Sequence, residues 1–176
     1  MKFRVGIITA SDKGARGERE DESGRVIGEM VVEYGGEVVA YQVVPDDVDD
    51  LRETMLKFIY RHRVDVIFTT GGTGFSPRDV TPEATLAVVE RLVPGIPEAM
   101  RARTLEKTPR AILSRAVAGI RGKTLIVNLP GNPRGVRECL EVILPALPHG
   151  LEILAGRGGE CATSLPSGGK EEKKFS

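Results

Sequence analysis

Short, continuous apolar runs that alternate with stretches of helical periodicity constrain this chain more than any other feature of its sequence. The runs are Phe3 to Thr9, Val38 to Val44, Val64 to Thr70 and Thr124 to Asn128. Each has the length of a strand and is largely apolar at successive positions, the pattern of a strand covered on both faces. Between the runs, apolar residues return at helical spacing: Val26, Ile27, Met30, Val31 and Tyr34 before the Gly35-Gly36 stop, Val48, Leu51, Met55, Phe58 and Ile59 after the Pro45-Asp46-Asp47 turn, and Val136, Cys139, Leu140, Ile143 and Leu144. Repetition of strand and helix predicts an α/β fold, a three-layer sandwich with a mostly parallel central sheet flanked by helices.

The remaining segments follow from their breakers. Thr81-Pro82, a capping residue followed by proline, predicts a helix start, with Leu86, Val88, Val89 and Leu92 on its apolar side. Two short helices are expected between Ile96 and Ala116, separated near Thr108-Pro109, and Pro145 and Pro148 should split the last helical stretch, which continues to Leu154. From Gly156 onward Gly, Ser, Glu and Lys dominate. The expected organisation is a single α/β domain over residues 1–155 and a polar, flexible C-terminal tail over 156–176.

Charge and cysteine content exclude several classes. Lys+Arg and Asp+Glu balance at 25 each, so no basic excess points to nucleic acid or an anionic membrane. The N-terminal apolar stretch is too short for a signal peptide, and no run approaches the roughly 20 residues that span a bilayer. The two cysteines, Cys139 in a helical pattern and Cys161 in the tail, make neither a disulfide framework nor a metal cluster, and a reducing cytoplasm fits.

In parallel sheets ligands bind beyond the carboxyl ends of the strands, so the loops there carry the search for function. After the third strand the chain reads Thr70-Gly71-Gly72-Thr73-Gly74-Phe75-Ser76-Pro77-Arg78-Asp79. Three glycines in four positions permit a concave turn whose N–H groups face an anion, although a glycine cluster alone also marks an ordinary turn. Asp79 beside such a turn would repel a phosphate unless a cation lay between them, which points to Mg²⁺ with a phosphoester; otherwise Asp79 caps the next helix or pairs with Arg78. Asp46 and Asp47, after the second strand, share this edge of the sheet and suit either a metal or a helix N-cap.

Ser11 and Asp12 sit directly at the end of the first strand, ahead of a long loop of mixed charge expected to be largely solvated. The stiff loop from Asn128 through Pro130, Gly131 and Asn132 to Pro133 suits a wall against a flat heterocycle. Gly119 to Thr124 lacks the spacing of a Walker loop and reads as a turn into the last strand, and Pro77 stands where a dinucleotide fingerprint needs a small residue. His62 and His149 fall in helical contexts as surface or packing residues. With no evident general base, the chemistry should use a nucleophile that is already ionised.

The stretch from Thr70 through Gly71-Gly72-Thr73-Gly74-Phe75-Ser76-Pro77-Arg78-Asp79-Val80-Thr81-Pro82 to Thr85 resembles the signature of the MogA/MoaB family, which includes the G domains of gephyrin-like proteins. Pro94 to Glu98, Ala111 to Arg115, Asn128 to Pro133 and Glu138-Cys139-Leu140 extend the likeness, which runs from the first strand to about Leu154. The resemblance implies a MogA-like fold and a homotrimeric molybdopterin adenylyltransferase that uses ATP, molybdopterin and Mg²⁺ in molybdenum or tungsten cofactor assembly, with a molybdenum insertase as a partner. It implies Asp46 and Asp79 as catalytic, metal-holding residues. Gly71, Gly72, Thr73 and Gly74 would cradle phosphate, Ser114 would lie in the pterin pocket, and Ser11, Asp12, Asn128, Pro130, Gly131 and Asn132 would line the cleft. The rival readings are an insertase-type domain, which in that family belongs to a longer chain, a non-catalytic molybdopterin-binding or scaffold protein, and a CinA-type nucleotide hydrolase.

Overall fold

The computed structural model describes residues 1–157. Its centre is a six-stranded sheet in the order β2-β1-β3-β6-β5-β4. Strands β1 (Phe3–Ala10), β2 (Gly36–Val44), β3 (Val66–Thr70) and β6 (Thr124–Leu129) are the four expected apolar runs, and their pairings β1 with β2, β1 with β3 and β3 with β6 are all parallel. Side chains alternate across the pleat. Phe3, Val5, Ile7, Val66, Phe68, Leu125, Val127 and Leu129 point to one face, while Ile8, Ala10, Ile67 and Ile126 point to the other. The first face is covered by α2 (Glu22–Glu33), α5 (Gly95–Leu105), α6 (Pro133–Ile143) and α7 (Leu147–Leu154), and the second by α3 (Val48–Tyr60) and the short α4 (Thr81–Leu86). Burying the central strands from both sides explains why they read as unbroken apolar runs, each large side chain contributing about 2 kcal/mol.

The sheet ends in two antiparallel strands that depart from expectation, β4 (Arg91–Leu92) and β5 (Ala118–Arg121). The helix begun at Thr81 stops at Leu86, and Leu86 and Leu92, expected inside, are exposed. The β-branched pair Val88-Val89 propagates a helix weakly. Hydrogen bonds from the N–H of Glu90 to the carbonyl of Ile120, and from Val93 to Ala118, draw the segment onto β5 instead. Residues 119–121, expected as a turn, are therefore strand, and the turn lies one step later at Gly122, whose φ is +56°. The loop after β1 is also more ordered than expected. It contains α1 (Asp12–Ala15), and α2 starts at Glu22 behind an Asp21 cap. The two helices expected between Ile96 and Ala116 are α5 and a 3-10 turn at Pro109–Leu113, and the split near Pro145 separates α6 from α7. Residues from 158 onward, with Cys161 and most of the expected tail, lie outside the described residues.

Candidate active site

Because β2, β1, β3 and β6 run parallel, their carboxyl ends form one rim, and the strand order reverses between β1 and β3. A crevice opens at such a reversal because the connections leave toward opposite faces. The β3 loop fills it. Gly71 and Gly72 take φ of +90° and +66°, a region open to glycine, and turn the chain sharply away from the sheet. The Thr81 hydroxyl donates to the Gly71 carbonyl at 2.9 Å, the Thr81 N–H to the Gly72 carbonyl at 3.1 Å, and the Thr70 hydroxyl to the Pro130 carbonyl at 2.6 Å. Gly71 commits its own N–H to Leu129 O, extending the ladder, so its contribution is shape. Among the described residues, the N–H groups of Gly72, Thr73 and Gly74 have no acceptor, which leaves them for an anion.

The glycine loop and the Pro130 to Asn132 loop stand between two clefts of different character. One, of about 450 Å³, is lined by Ser11, Asp21, Asp46, Gly71, Gly72, Asp79 and Gly131, and is rich in carboxylates. The other, of about 580 Å³, is lined by Thr73, Gly74, Ser114, Pro130 and Asn132 together with Arg101, Lys107, Arg110 and Arg134. Among the described residues a single carboxylate, Glu138, reaches the basic cleft, and it is bound to Arg134 and Lys107 at 3.1 and 3.2 Å, which lowers its pKa.

Three carboxylates cluster at the acidic cleft, Asp46 and Asp79 lining it and Asp12 behind them. Asp46 and Asp12 exchange hydrogen bonds reciprocally, each N–H donating to the other's carboxylate at 3.0 Å. Asp12 is further gripped by the Arg78 fork at 2.9 and 3.0 Å, which lowers its pKa. Burial first, and then the charges of Asp12 and Asp79, push the Asp46 carboxyl up from its ordinary value. Asp79 accepts the Ser76 N–H at 3.0 Å, closing a turn on itself. Asp47 caps α3 through the N–H groups of Asp49 and Asp50, so Asp46 alone of that pair faces the cleft.

The raised Asp46 pKa gives a signed expectation. An ionised group disfavoured in the folded state lowers stability at pH above its unfolded pKa, and the loss disappears as pH falls through the raised folded value. Asp46→Asn, which can still accept the Asp12 N–H, should therefore raise the melting temperature of the ligand-free protein at neutral pH and do nothing to it in acid. A thermal melt at both pH values checks this, and an equal change at both would sink it.

Two expected cleft residues are placed elsewhere. Asn128 is fully buried, its amide donating to the Thr69 and Thr85 hydroxyls at 2.9 and 2.8 Å and its oxygen accepting the Val117 N–H at 3.1 Å. It ties β6 to its neighbours and touches neither cleft, because an inward position on a central strand cannot reach the rim. Asn128→Ala should lower stability by about 2 kcal/mol by leaving these buried groups unpaired, measured by urea denaturation, with little change in the clefts. Asp12 lies behind the acidic cleft, its carboxylate taken up by Arg78 and Asp46. Ser11 and Asn132 do line the clefts but also cap α1 and α6.

Residues that the sequence patterns do not single out also shape the rim. Asp21 accepts from the Thr9 and Tyr41 hydroxyls at 2.5 and 2.6 Å and caps α2. Its cap is legible in Asp21-Glu22-Ser23-Gly24 ahead of Val26. Ser23 donates to the Gly131 carbonyl at 3.0 Å. Arg115 binds the glycine loop from the far side; the family likeness reaches it, but its neighbours in sequence give no sign of that contact.

Comparisons with known proteins identify the family. The family described as "Probable molybdopterin binding domain" matches residues 6–149. A molybdopterin adenylyltransferase of Helicobacter pylori is 43% identical over 156 residues, covering 88% of this chain and 89% of that protein. Gephyrin of Dictyostelium discoideum is 40% identical over 160 residues, covering 85% of this chain but 22% of the longer protein. The crystal structure of the molybdopterin biosynthesis enzyme MoaB from Thermus thermophilus superposes with a TM-score of 0.83 at 52% identity, covering 88% of this chain and 97% of that one. By a family match across most of its length and by relatives of this similarity, the chain belongs to the molybdopterin-binding family of molybdenum cofactor biosynthesis proteins.

Proposed function

We propose that the protein is a molybdopterin adenylyltransferase, transferring AMP from Mg·ATP to the terminal phosphate of molybdopterin with release of pyrophosphate. The observation that carries this reading is the pair of clefts, one carboxylate-lined and one basic, that meet at a glycine loop with uncommitted N–H groups, in a chain 43% identical to an enzyme of that name. A cation-bound polyphosphate suits the acidic cleft. A pterin carrying an anionic phosphate suits the basic one, with Ser114, Pro130 and Asn132 along its wall.

The acidic cleft fits Mg²⁺ by its donor set. Asp46 Oδ1 accepts no hydrogen bond from a described residue, and a Cβ on Gly72 would stand 3.2 Å from that oxygen, so the glycine keeps the space beside it open. Among the described residues no group of three or more His, Cys, Asp or Glu side chains forms a metal cage. Mg²⁺ uses one or two carboxylates, substrate phosphates and water instead. When bound, the ion neutralises charge on the triphosphate and lowers the repulsion between two anions.

The chain's own residues supply position and dipoles. A phosphate monoester with about 1.5 to 2 negative charges at neutral pH is already a nucleophile, so no side chain need remove a proton. Its oxygen bonds to the α-phosphorus of ATP as the bond from that phosphorus to the oxygen bridging to the β-phosphate breaks, and pyrophosphate leaves with that oxygen. Asp46 and Asp79 would hold the cation side, and the N–H groups of Gly72, Thr73 and Gly74 would face the phosphates from between the clefts. We further propose assembly as a homotrimer, supported by an apolar groove of about 300 Å³ along Val93, Ile96, Ile143, Leu147, Leu151 and Leu154. A molybdenum insertase as partner is supported by the longer gephyrin chain. A cytoplasmic location agrees with the absence, among the described residues, of a helix long and apolar enough to cross a membrane. Incubating the protein with molybdopterin, ATP and Mg²⁺ should yield adenylated pterin and pyrophosphate in equal amounts. Pterin binding without either product would leave a binding or scaffold protein.

A further inference from the structure

We propose that Arg115 is a positioning residue: it fixes the loop from Gly74 to Asp79 so that the Asp79 carboxylate is presented to the acidic cleft, and it does so from the segment whose preceding residue, Ser114, lines the basic cleft. The inference rests on the reading of Asp79 given above. Arg115 Nε donates to the Gly74 carbonyl at 2.7 Å and Nη2 to the Asp79 carbonyl at 2.7 Å, so one planar group holds both ends of the loop. Nη1 donates to the Glu83 carboxylate in the first turn of α4, and the Arg115 N–H donates to the Thr73 carbonyl at 2.9 Å. Glu83, its carboxyl held low by the guanidinium beside it, keeps the fork oriented.

The loop needs such a tether. Phe75, Ser76, Pro77 and Arg78 are all exposed, so packing does not set their place; the Arg78 fork on Asp12 ties the loop at one side, and Arg115 ties the two backbone ends. Residues 76 to 79 close on themselves, Ser76 N–H donating to the Asp79 carboxylate and Asp79 N–H to the Ser76 carbonyl at 2.9 Å. Such a turn moves as a unit. Fixing the carbonyls before and after it fixes where Asp79 points. Only a guanidinium supplies several donors at set angles in one plane; an ammonium of the same charge cannot satisfy two carbonyls and a carboxylate in these directions at once. The connection also joins the clefts mechanically, since the backbone that carries Ser114 is bonded through Arg115 to the loop that carries Asp79.

The test uses Mn²⁺ as the probe, titrated into the full-length protein with a non-hydrolysable ATP analogue and followed by the ion's magnetic resonance signal. Arg115→Lys should weaken Mn²⁺ binding about tenfold, the effect typical of losing a group that orients a metal ligand, with a melting temperature within about 3 °C of the parent. Glu83→Gln, which keeps both carbonyl contacts, should weaken it in the same direction by less. A merely structural role for Arg115 would lower the melting temperature and leave Mn²⁺ affinity intact below it, and that result overturns the proposal. If Arg115→Lys does not fold, unchanged affinity in Glu83→Gln overturns it instead. Asp79→Asn is the control. If it binds Mn²⁺ as the parent does, the reading of Asp79 falls, whereas loss of binding in Asp79→Asn with none in Arg115→Lys removes only the role of Arg115.

Discussion

Replacing Asp79 with Asn should lower turnover by at least about a hundredfold, the scale on which removing one electrostatic element of a transfer site is felt, while leaving molybdopterin binding largely intact. The substitution is quiet for the fold. The carboxamide oxygen of Asn still accepts the Ser76 N–H that Asp79 now takes at 3.0 Å, so the turn from 76 to 79 survives. What changes is charge, in the acidic cleft only, because Asp79 does not line the basic one. Pyrophosphate release and calorimetric titration with molybdopterin separate the two quantities. Turnover at the parent rate would remove Asp79 from the chemistry, and joint loss of turnover and pterin binding would show that the clefts are not separate in function.

Gly71→Ala should be the most disruptive single methyl that can be added at the rim. A Cβ there would lie 2.5 Å from the Ala10 carbonyl oxygen, a backbone atom at the end of β1 that cannot swing aside, in a residue whose φ is +90°. Left-handed backbone alone costs about 1 to 2 kcal/mol for an alanine, and the clash must also push β3 from β1, so a total loss of about 4 kcal/mol is expected. Gly122→Ala is the matched control. It also has positive φ, +56°, but nothing lies within 4 Å of its added Cβ, so it should lose about 1 kcal/mol. Urea midpoints for the two variants measure the difference. Equal losses would mean that the close approach of the glycine loop to β1 is unimportant.

Both predictions concern residues that can be singled out in the sequence, and the reason is local. Glycine is favoured at Gly71 and Gly72 because the backbone there takes positive φ, and a carboxylate following them points to a cation, beside the plainer readings of a helix cap or a pair with Arg78. Strands β1, β3 and β6 are equally legible, because covering a strand on both faces demands apolar residues at successive positions whatever their neighbours turn out to be; β2 has a similar run but lies at the sheet edge, where Val38 and Tyr41 are exposed. Helix α3 announces its own start, with Asp46 and Asp47 ahead of an apolar stripe.

What stays hidden depends on residues far apart in the chain. Asp46 and Asp47 are adjacent and chemically identical, and only the packing of α1 against the β2 end, through the reciprocal bonds between Asp46 and Asp12, turns one toward the cleft and leaves the other as a cap. Asn128 reads like a rim residue until Thr69 and Thr85 close around its amide. Arg78 sits beside Asp79 in sequence yet pairs with Asp12, and Arg115 reaches back 36 positions to the Asp79 carbonyl. Strand β5 forms on the edge that β6 offers, and β4 on the edge that β5 offers, bonds that neither run of residues signals alone. The amino-acid order by itself determined the layers, the parallel strands and the loops that meet at their carboxyl rim, since periodicity and backbone freedom are properties of short segments. Side-chain direction and the division of the rim into an acidic and a basic cleft were decided only in the tertiary structure, because they depend on which distant donors and charges the folded chain brings within a few ångströms.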